Sequence, residues 1–194
     1  LRRAALALIL VSLTAMVLAA QSSAATQAIY QVGDKGPAGG IVFYDKGNAS
    51  GGWRYLEVAT SDAGSGIPWD TGNYLDVTTS TTIGSGKANT DAIIEALGSG
   101  IYAAQLCRGL ATGGFNDWFL PSKDELNLLY TAVDWRGRGS FTDKDRDGFT
   151  NHYYWSSSQY FSSYFYAWDQ DFGNGRQKND LKNTGFSVRA IRAF

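Results

Sequence analysis

Apolar residues recur at helical spacing in three stretches of this chain and in short strand-like runs elsewhere. Ile29-Tyr30-Gln31-Val32 and Ile41-Val42-Phe43-Tyr44 flank a glycine-rich segment, residues 33–40, and read as two strands around a long turn. Residues 53–58 continue that sheet. Residues 60–87 are rich in Gly, Ser, Thr and Asp, carry Trp69 and Tyr74, and read as ordered surface loop. Asn89 or Thr90 can cap a short helix that ends near Leu97, and Gly98 and Gly100 part it from a second helix around Cys107. In that second helix Ala103, Leu106, Cys107 and Leu110 share one face. The clearest local signal is Pro121-Ser122-Lys123-Asp124-Glu125. There Ser122 and Glu125 form a capping box that starts a third helix through about Val133, with Leu126, Leu129 and Tyr130 on its buried side.

The pattern changes at Tyr153. Ten aromatic side chains crowd the twenty residues 153–172, and most of what separates them is Ser, Asp, Gln and Ala. A core strand spaces its large residues at period two. Tyr160, Phe161, Tyr164, Phe165 and Tyr166 instead come in adjacent runs, so neighbours point to opposite faces and some must meet water or a partner. Tyr, Phe and Trp give large contact areas at low rotamer cost, and Ser and Asn adapt their hydrogen bonds, which is the composition of a binding surface.

Composition narrows the class. The chain has 194 residues, 23 Gly and only 3 Pro, which fits one loop-rich α+β or β domain and not a helical bundle. The formal charge is −1, and loss of Arg2 and Arg3 would make it two units more negative. Such a balance offers no basic stripe for phosphate, so nucleic acid is excluded as an expected partner. Arg2 and Arg3, an apolar run over 4–20 and the small-residue exit Gln21-Ser22-Ser23-Ala24-Ala25 read as a secretory leader, residues 1–25, cleaved after Ala24 or Ala25. The run is short and Ala-rich for a membrane anchor. The mature domain, residues 26–194, is therefore expected to be exported to the periplasm, cell surface or medium without membrane insertion. Cys107 is the sole cysteine, so no disulfide forms within the chain, and a helical face makes it a buried small hydrophobe.

Catalytic and metal motifs are sparse. Asp143, Asp145 and Asp147 alternate before Gly148 and match the first half of a calcium loop, so Ca2+ is the one cofactor the sequence offers. The twelfth position is Tyr154 where a bidentate Glu is needed, and an ordinary surface turn solvated by Lys144 and Arg146 is the alternative. Gly84-Ser85-Gly86-Lys87 lacks the first Gly and the Ser or Thr of a phosphate loop. His152 is the only histidine, which leaves no material for a His-based zinc site or a Ser/His/Asp triad. Asp169 and Asp171 lie one strand repeat apart with no evident opposing acid, so exposed binding contacts are expected there in place of a glycosidase pair.

Several motifs in order carry a resemblance: Gly39-Gly40-Ile41-Val42-Phe43-Tyr44, Gly86-Lys87-Ala88-Asn89-Thr90, the run from Asp117-Trp118-Phe119-Leu120 through the capping box to Leu126, Tyr154-Trp155-Ser156-Ser157-Ser158, and the closing Val188-Arg189-Ala190-Ile191-Arg192-Ala193-Phe194. Together they resemble the C-terminal domain family of the Legionella collagen-like protein, over nearly all of the mature chain. The resemblance implies an α+β, C-type-lectin-like fold of the formylglycine-generating-enzyme branch, with paired terminal strands, two to three short helices and long ordered loops. It also implies that Trp155, the three serines, Ala167, Trp168, Gln170, Phe172 and residues 188–194 are frame.

Between those frame positions lie the candidate ligand contacts: Tyr160, Phe161, Ser162, Tyr164, Phe165, Tyr166, Asp169, Asp171, Asn174, Arg176, Lys178, Asn179, Asp180, Asn183 and Phe186. Some members of the family are targets of diversity-generating retroelements, and these residues have the Tyr, Phe, Ser, Asp and Asn character of such variable positions. The cysteine chemistry of the enzymes in the wider branch has no counterpart beyond Cys107, and the Glu-Pro-Asn and Gln-Pro-Asp triplets of calcium-dependent sugar binding are missing. The expectation is a non-enzymatic recognition or adhesion domain that binds a protein or glycan on a surface. A cell-envelope enzyme and a structural envelope protein are the alternatives, and the sequence sets no oligomeric state.

Overall fold

A computed structural model of the chain describes residues 28–133 and 153–194. Among these residues two sheets and three α-helices make up an α+β domain. Strands β1 (Ile41–Asp45), β2 (Tyr55–Val58) and β8 (Ile191–Ala193) form one antiparallel sheet in the order β1-β2-β8. Strands β3 (Gly64–Ile67), β4 (Tyr153–Gln159), β5 (Tyr166–Asp171), β6 (Gln177–Leu181) and β7 (Phe186–Val188) form the other, in the order β3-β7-β4-β5-β6, with β4 parallel to β7. The first and last strands thus share a sheet, both bonded to β2, which lies between them. Helices α1 (Gly86–Leu97), α2 (Ala103–Arg108) and α3 (Lys123–Val133) lie between β3 and β4 along the chain.

The core has two parts. Trp69, Trp118, Trp155, Ile93, Tyr102 and Cys107 pack in one, and Phe43, Leu56, Phe119, Leu126, Leu129, Tyr154 and Phe172 in the other. Burial of Cys107 pushes its thiol well above the ordinary range, so it is a core residue as its helical spacing predicts. The capping box forms as expected. The Ser122 amide donates to Glu125 Oε2 (2.7 Å) and the Glu125 amide to Ser122 Oγ (3.3 Å).

Polar groups lock the frame. Fully buried Glu57 accepts the amides of Ala38 (3.1 Å) and Gly40 (2.7 Å) and an N–H of Arg192 (3.2 Å), while the Arg192 fork grips Asp117 at 2.8 and 2.9 Å. Gly40 must be glycine, since a Cβ there would strike the Val58 carbonyl. The serine triplet of β4 is buried for the same reason: Ser156 Oγ donates to the Trp168 carbonyl (2.7 Å), Ser158 Oγ donates to the Ser80 carbonyl (2.8 Å), and Ser157 Oγ accepts from Asn89 (3.1 Å).

Three expected elements differ. Residues 29–32 form no strand: Ile29 is exposed, and Gly33 and Asp34 hook onto Val42 through bonds of 2.8 and 2.9 Å that turn the chain out of the sheet. The segment 60–87 is not all loop, because Gly64–Ile67 is drawn into a bulged pairing with β7. Helix α1 begins at Gly86 and not at Asn89 or Thr90. Asn89 is buried within it and its amide clamps Ser80 at 2.8 and 2.6 Å.

Candidate functional site

The loop between β4 and β5 carries Phe161, the most exposed large hydrophobic side chain among the described residues. It is closed by its own backbone: Tyr160 N–H donates to Tyr166 O (2.9 Å), Ser163 N–H to Tyr160 O (3.3 Å), and Tyr166 N–H to Ser163 O (3.2 Å). This six-residue turn leaves Phe161 87% exposed, with Tyr164 at 44% and Phe165 at 42%. The rings support one another. Phe161 leans on Tyr160 (5.2 Å between centroids), which meets the edge of Trp168 (5.4 Å), and Tyr164 lies 4.3 Å from Phe165. Together they form an apolar crest.

A second segment joins it. Tyr74 packs on Phe165 at 5.4 Å and holds φ at +50°, the one non-glycine residue with positive φ among the described residues. Buried Asp70 fixes that conformation by accepting the amides of Gly72 (2.8 Å) and Tyr74 (3.0 Å). Lys182, wholly buried, donates to the Leu75 carbonyl (2.8 Å) and to Gln159 Oε1 (2.7 Å) and sits 4.2 Å over the Trp69 ring. Burial lowers its ammonium to about 8, with Asp70 and Asp76 acting in the opposite direction. Exposed Leu75 and Leu181 extend the crest, since Leu181 lies opposite Tyr166 and the next amide, of Lys182, bonds the Phe165 carbonyl (3.0 Å). Beside this segment a hollow of about 560 Å3 is lined by Pro68, Asp70, Thr71, Gly72, Ile101 and Asn183.

Of the residues expected as contacts, the structure brings Tyr160, Phe161, Ser162, Tyr164, Phe165 and Tyr166 together at the crest, and Asn183 at the hollow. Others go elsewhere. Asn174 and Arg176 belong to the β5–β6 turn, at the far end of β5, about 17 Å away at 3.4 Å per residue. Asp171 shapes that turn, accepting from the Gly173 amide (2.8 Å) and the Asn174 side chain (2.7 Å). Asn179 stands opposite Trp168 in β6. Phe186 packs on Trp155 (4.6 Å) and Tyr153 (5.2 Å) and is half-buried.

Asp169 is the plain correction. It was expected as an exposed contact beside Asp171, yet it is only 1% exposed. Its strand face is covered, because Lys178 and Asp180 of β6 and the Trp155 ring of β4 crowd the same side. Burial first, and then the neighbouring Asp180 carboxylate, push the Asp169 carboxyl up to about 8. Asp143, Asp145 and Asp147 lie outside the described residues. Within those residues no group of three or more acidic, His or Cys side chains could hold a metal ion, and no helix is long and apolar enough to cross a membrane.

Leu75, Ile101, Leu181 and Lys182 were not legible as site residues. Tyr74 had a signal, as a lone aromatic in a run of small polar residues. A family model, the Lcl C-terminal domain, matches residues 59–192. The chain belongs to the Lcl C-terminal domain family, and so groups with surface-associated domains. No curated protein matches it.

Proposed function

We propose that this member of the Lcl C-terminal domain family is an exported, non-enzymatic recognition domain that binds a protein or glycan on a surface through the aromatic crest. The crest itself carries the reading: three aromatic rings, 87, 44 and 42% exposed, stand on a turn braced by Trp168, Tyr74 and buried Lys182. Contiguous exposed apolar surface on a braced scaffold is the signature of an interaction site. The hollow beside it supplies the Asn183 amide and backbone groups for polar contacts.

The direct test uses labelled domain on glycan and surface-protein arrays, compared with a Phe161→Ala/Tyr164→Ser/Phe165→Ser variant. Recognition predicts a ligand bound by the parent chain and lost in the folded variant. Equal binding by both would place recognition elsewhere. Changed oligomer size in the variant would favour a structural, self-associating role. Diversification of the crest by a retroelement is a separate part of the proposal. Sequencing the gene's 3′ end across a source population tests it, with substitutions in adenine-derived codons for residues 160–187 as the expected result and a uniform sequence as the refutation.

A further inference from the structure

Beyond the crest, one face of β4, β5 and β6 gathers charge that the crest does not use. Trp155, Asp169 and Lys178 form a cross-strand row, and Ala167 and Asp180 form the next. The Asp169 carboxyl lies at the floor, buried beside the Asp180 carboxyl, and among the described residues neither of its oxygens meets an N–H donor. Lys178 pairs with Asp180 and its ammonium sits 4.0 Å from the Tyr153 ring centroid and 5.5 Å from that of Phe186. Those two rings are 5.2 Å apart and form a wall that already holds one cation. Asp171, the third acid, is satisfied by its turn. Two carboxylates therefore share a single ammonium, and the seat is one positive charge short. A buried carboxyl with no donor must find a proton or a cation.

We propose that this seat binds the ammonium or guanidinium group of a ligand in exchange for the proton that otherwise neutralises Asp169. The exchange balances: the Asp169 carboxylic acid releases one proton to water, and its carboxylate pairs with one incoming cation. Lys178 is about one-third exposed, 33%, so its side chain can tilt toward solvent and admit the group beside the rings. At neutral pH the proton is held, because burial and Asp180 raise the Asp169 carboxyl while Lys178 opposes them and Asp171 adds a smaller push. A cationic side chain of a partner protein and a free polyamine present the same chemistry. The seat is made of other residues than the crest and does not rest on that reading.

The test is calorimetric titration of the full chain with acetyl-tetra-arginine amide and, separately, with spermidine, at pH 6.5, 7.5 and 8.5 in phosphate and in Tris. The expected result is release of about one proton per cation near pH 7, with affinity rising about tenfold per pH unit until it levels near pH 8. Whichever probe binds more tightly with that release names the source. Asp169→Asn, isosteric with the protonated acid, should abolish both the release and the pH dependence, and Lys178→Met, which removes the resident competitor, should tighten binding. Phe161→Ala should change neither. No binding, binding without proton release, or binding that survives Asp169→Asn unchanged would overturn the proposal.

Discussion

Phe161→Ala separates recognition from stability more cleanly than any other single change. The ring is 87% exposed and its one aromatic partner among the described residues is Tyr160. Fully burying a phenylalanine side chain is worth about 1.5–3 kcal/mol, and nearly all of that is still available to a partner. Affinity for the ligand should therefore fall by about 10- to 150-fold. Folding uses little of the ring, so the melting temperature should move by about 2 °C or less, since 1 kcal/mol corresponds to about 2–4 °C in a domain of this size. Tyr160→Ala is the counterpart. Its ring is half-buried between Phe161 and Trp168, and removing it should cost about 1–3 kcal/mol of stability as well as affinity. The assay pairs thermal melts with equilibrium binding to the ligand found on the arrays. Undiminished affinity in Phe161→Ala, or a melting temperature lowered by many degrees, would refute the assignment of that ring to a partner.

Four further outcomes follow from particular groups. Folding raises Asp169 from its ordinary 3.8 to about 8, so the stabilised protonated form is complete below pH 3.8 and its contribution is lost as pH rises through 8. Melts at pH 5, 6.5 and 8 should show stability falling by up to about 1.4 kcal/mol per unit from this group, and Asp169→Asn should remove that fall; parallel profiles would contradict the buried acid. Lys182→Met strips donors from the Leu75 carbonyl and Gln159, and amide exchange at residues 75–77 should accelerate at least about tenfold while the core amides hold. Glu57→Ala leaves one N–H of buried Arg192 and two amides without their buried partner and should cost about 3–5 kcal/mol in denaturant unfolding. Cys107 should resist an aromatic disulfide reagent in the folded chain and react at once on unfolding; fast native labelling would show that it is not core.

What could be read from the residues was what neighbouring residues decide among themselves. The Ser122–Glu125 box spans four positions, and it placed α3 correctly. Adjacent aromatics at 160–166 could not all face inward, and they do not. Long-range pairing escaped. Gly64-Ser65-Gly66-Ile67 has no strand character of its own and becomes β3 only because β7, about 120 residues later, offers it an edge. Asp169 alternates with Asp171 like a solvated pair, but Trp155 and Lys178, from other strands, decide that one is buried and the other turns the hairpin. Nothing next to Lys182 in sequence marks it for burial, because its carbonyl and amide partners lie 107 and 23 residues away.

These distant contacts explain why the crest can be exposed at all. Apolar rings on a free loop would collapse onto the sheet, and here the ground beneath them is already occupied. Trp69 donates to the Ser156 carbonyl (2.8 Å), Trp155 to the Ile67 carbonyl (2.9 Å), and Lys182 covers Trp69. Those tryptophans are fully buried with their N–H groups satisfied, while Phe161, Tyr164 and Phe165 stay exposed. Their identities then matter little to folding and greatly to whatever meets them. Glu57, Arg192 and the β4 serines, each bonded to backbone or to a buried charge, carry the opposite burden, so sequence change is cheap on the crest and costly in this frame.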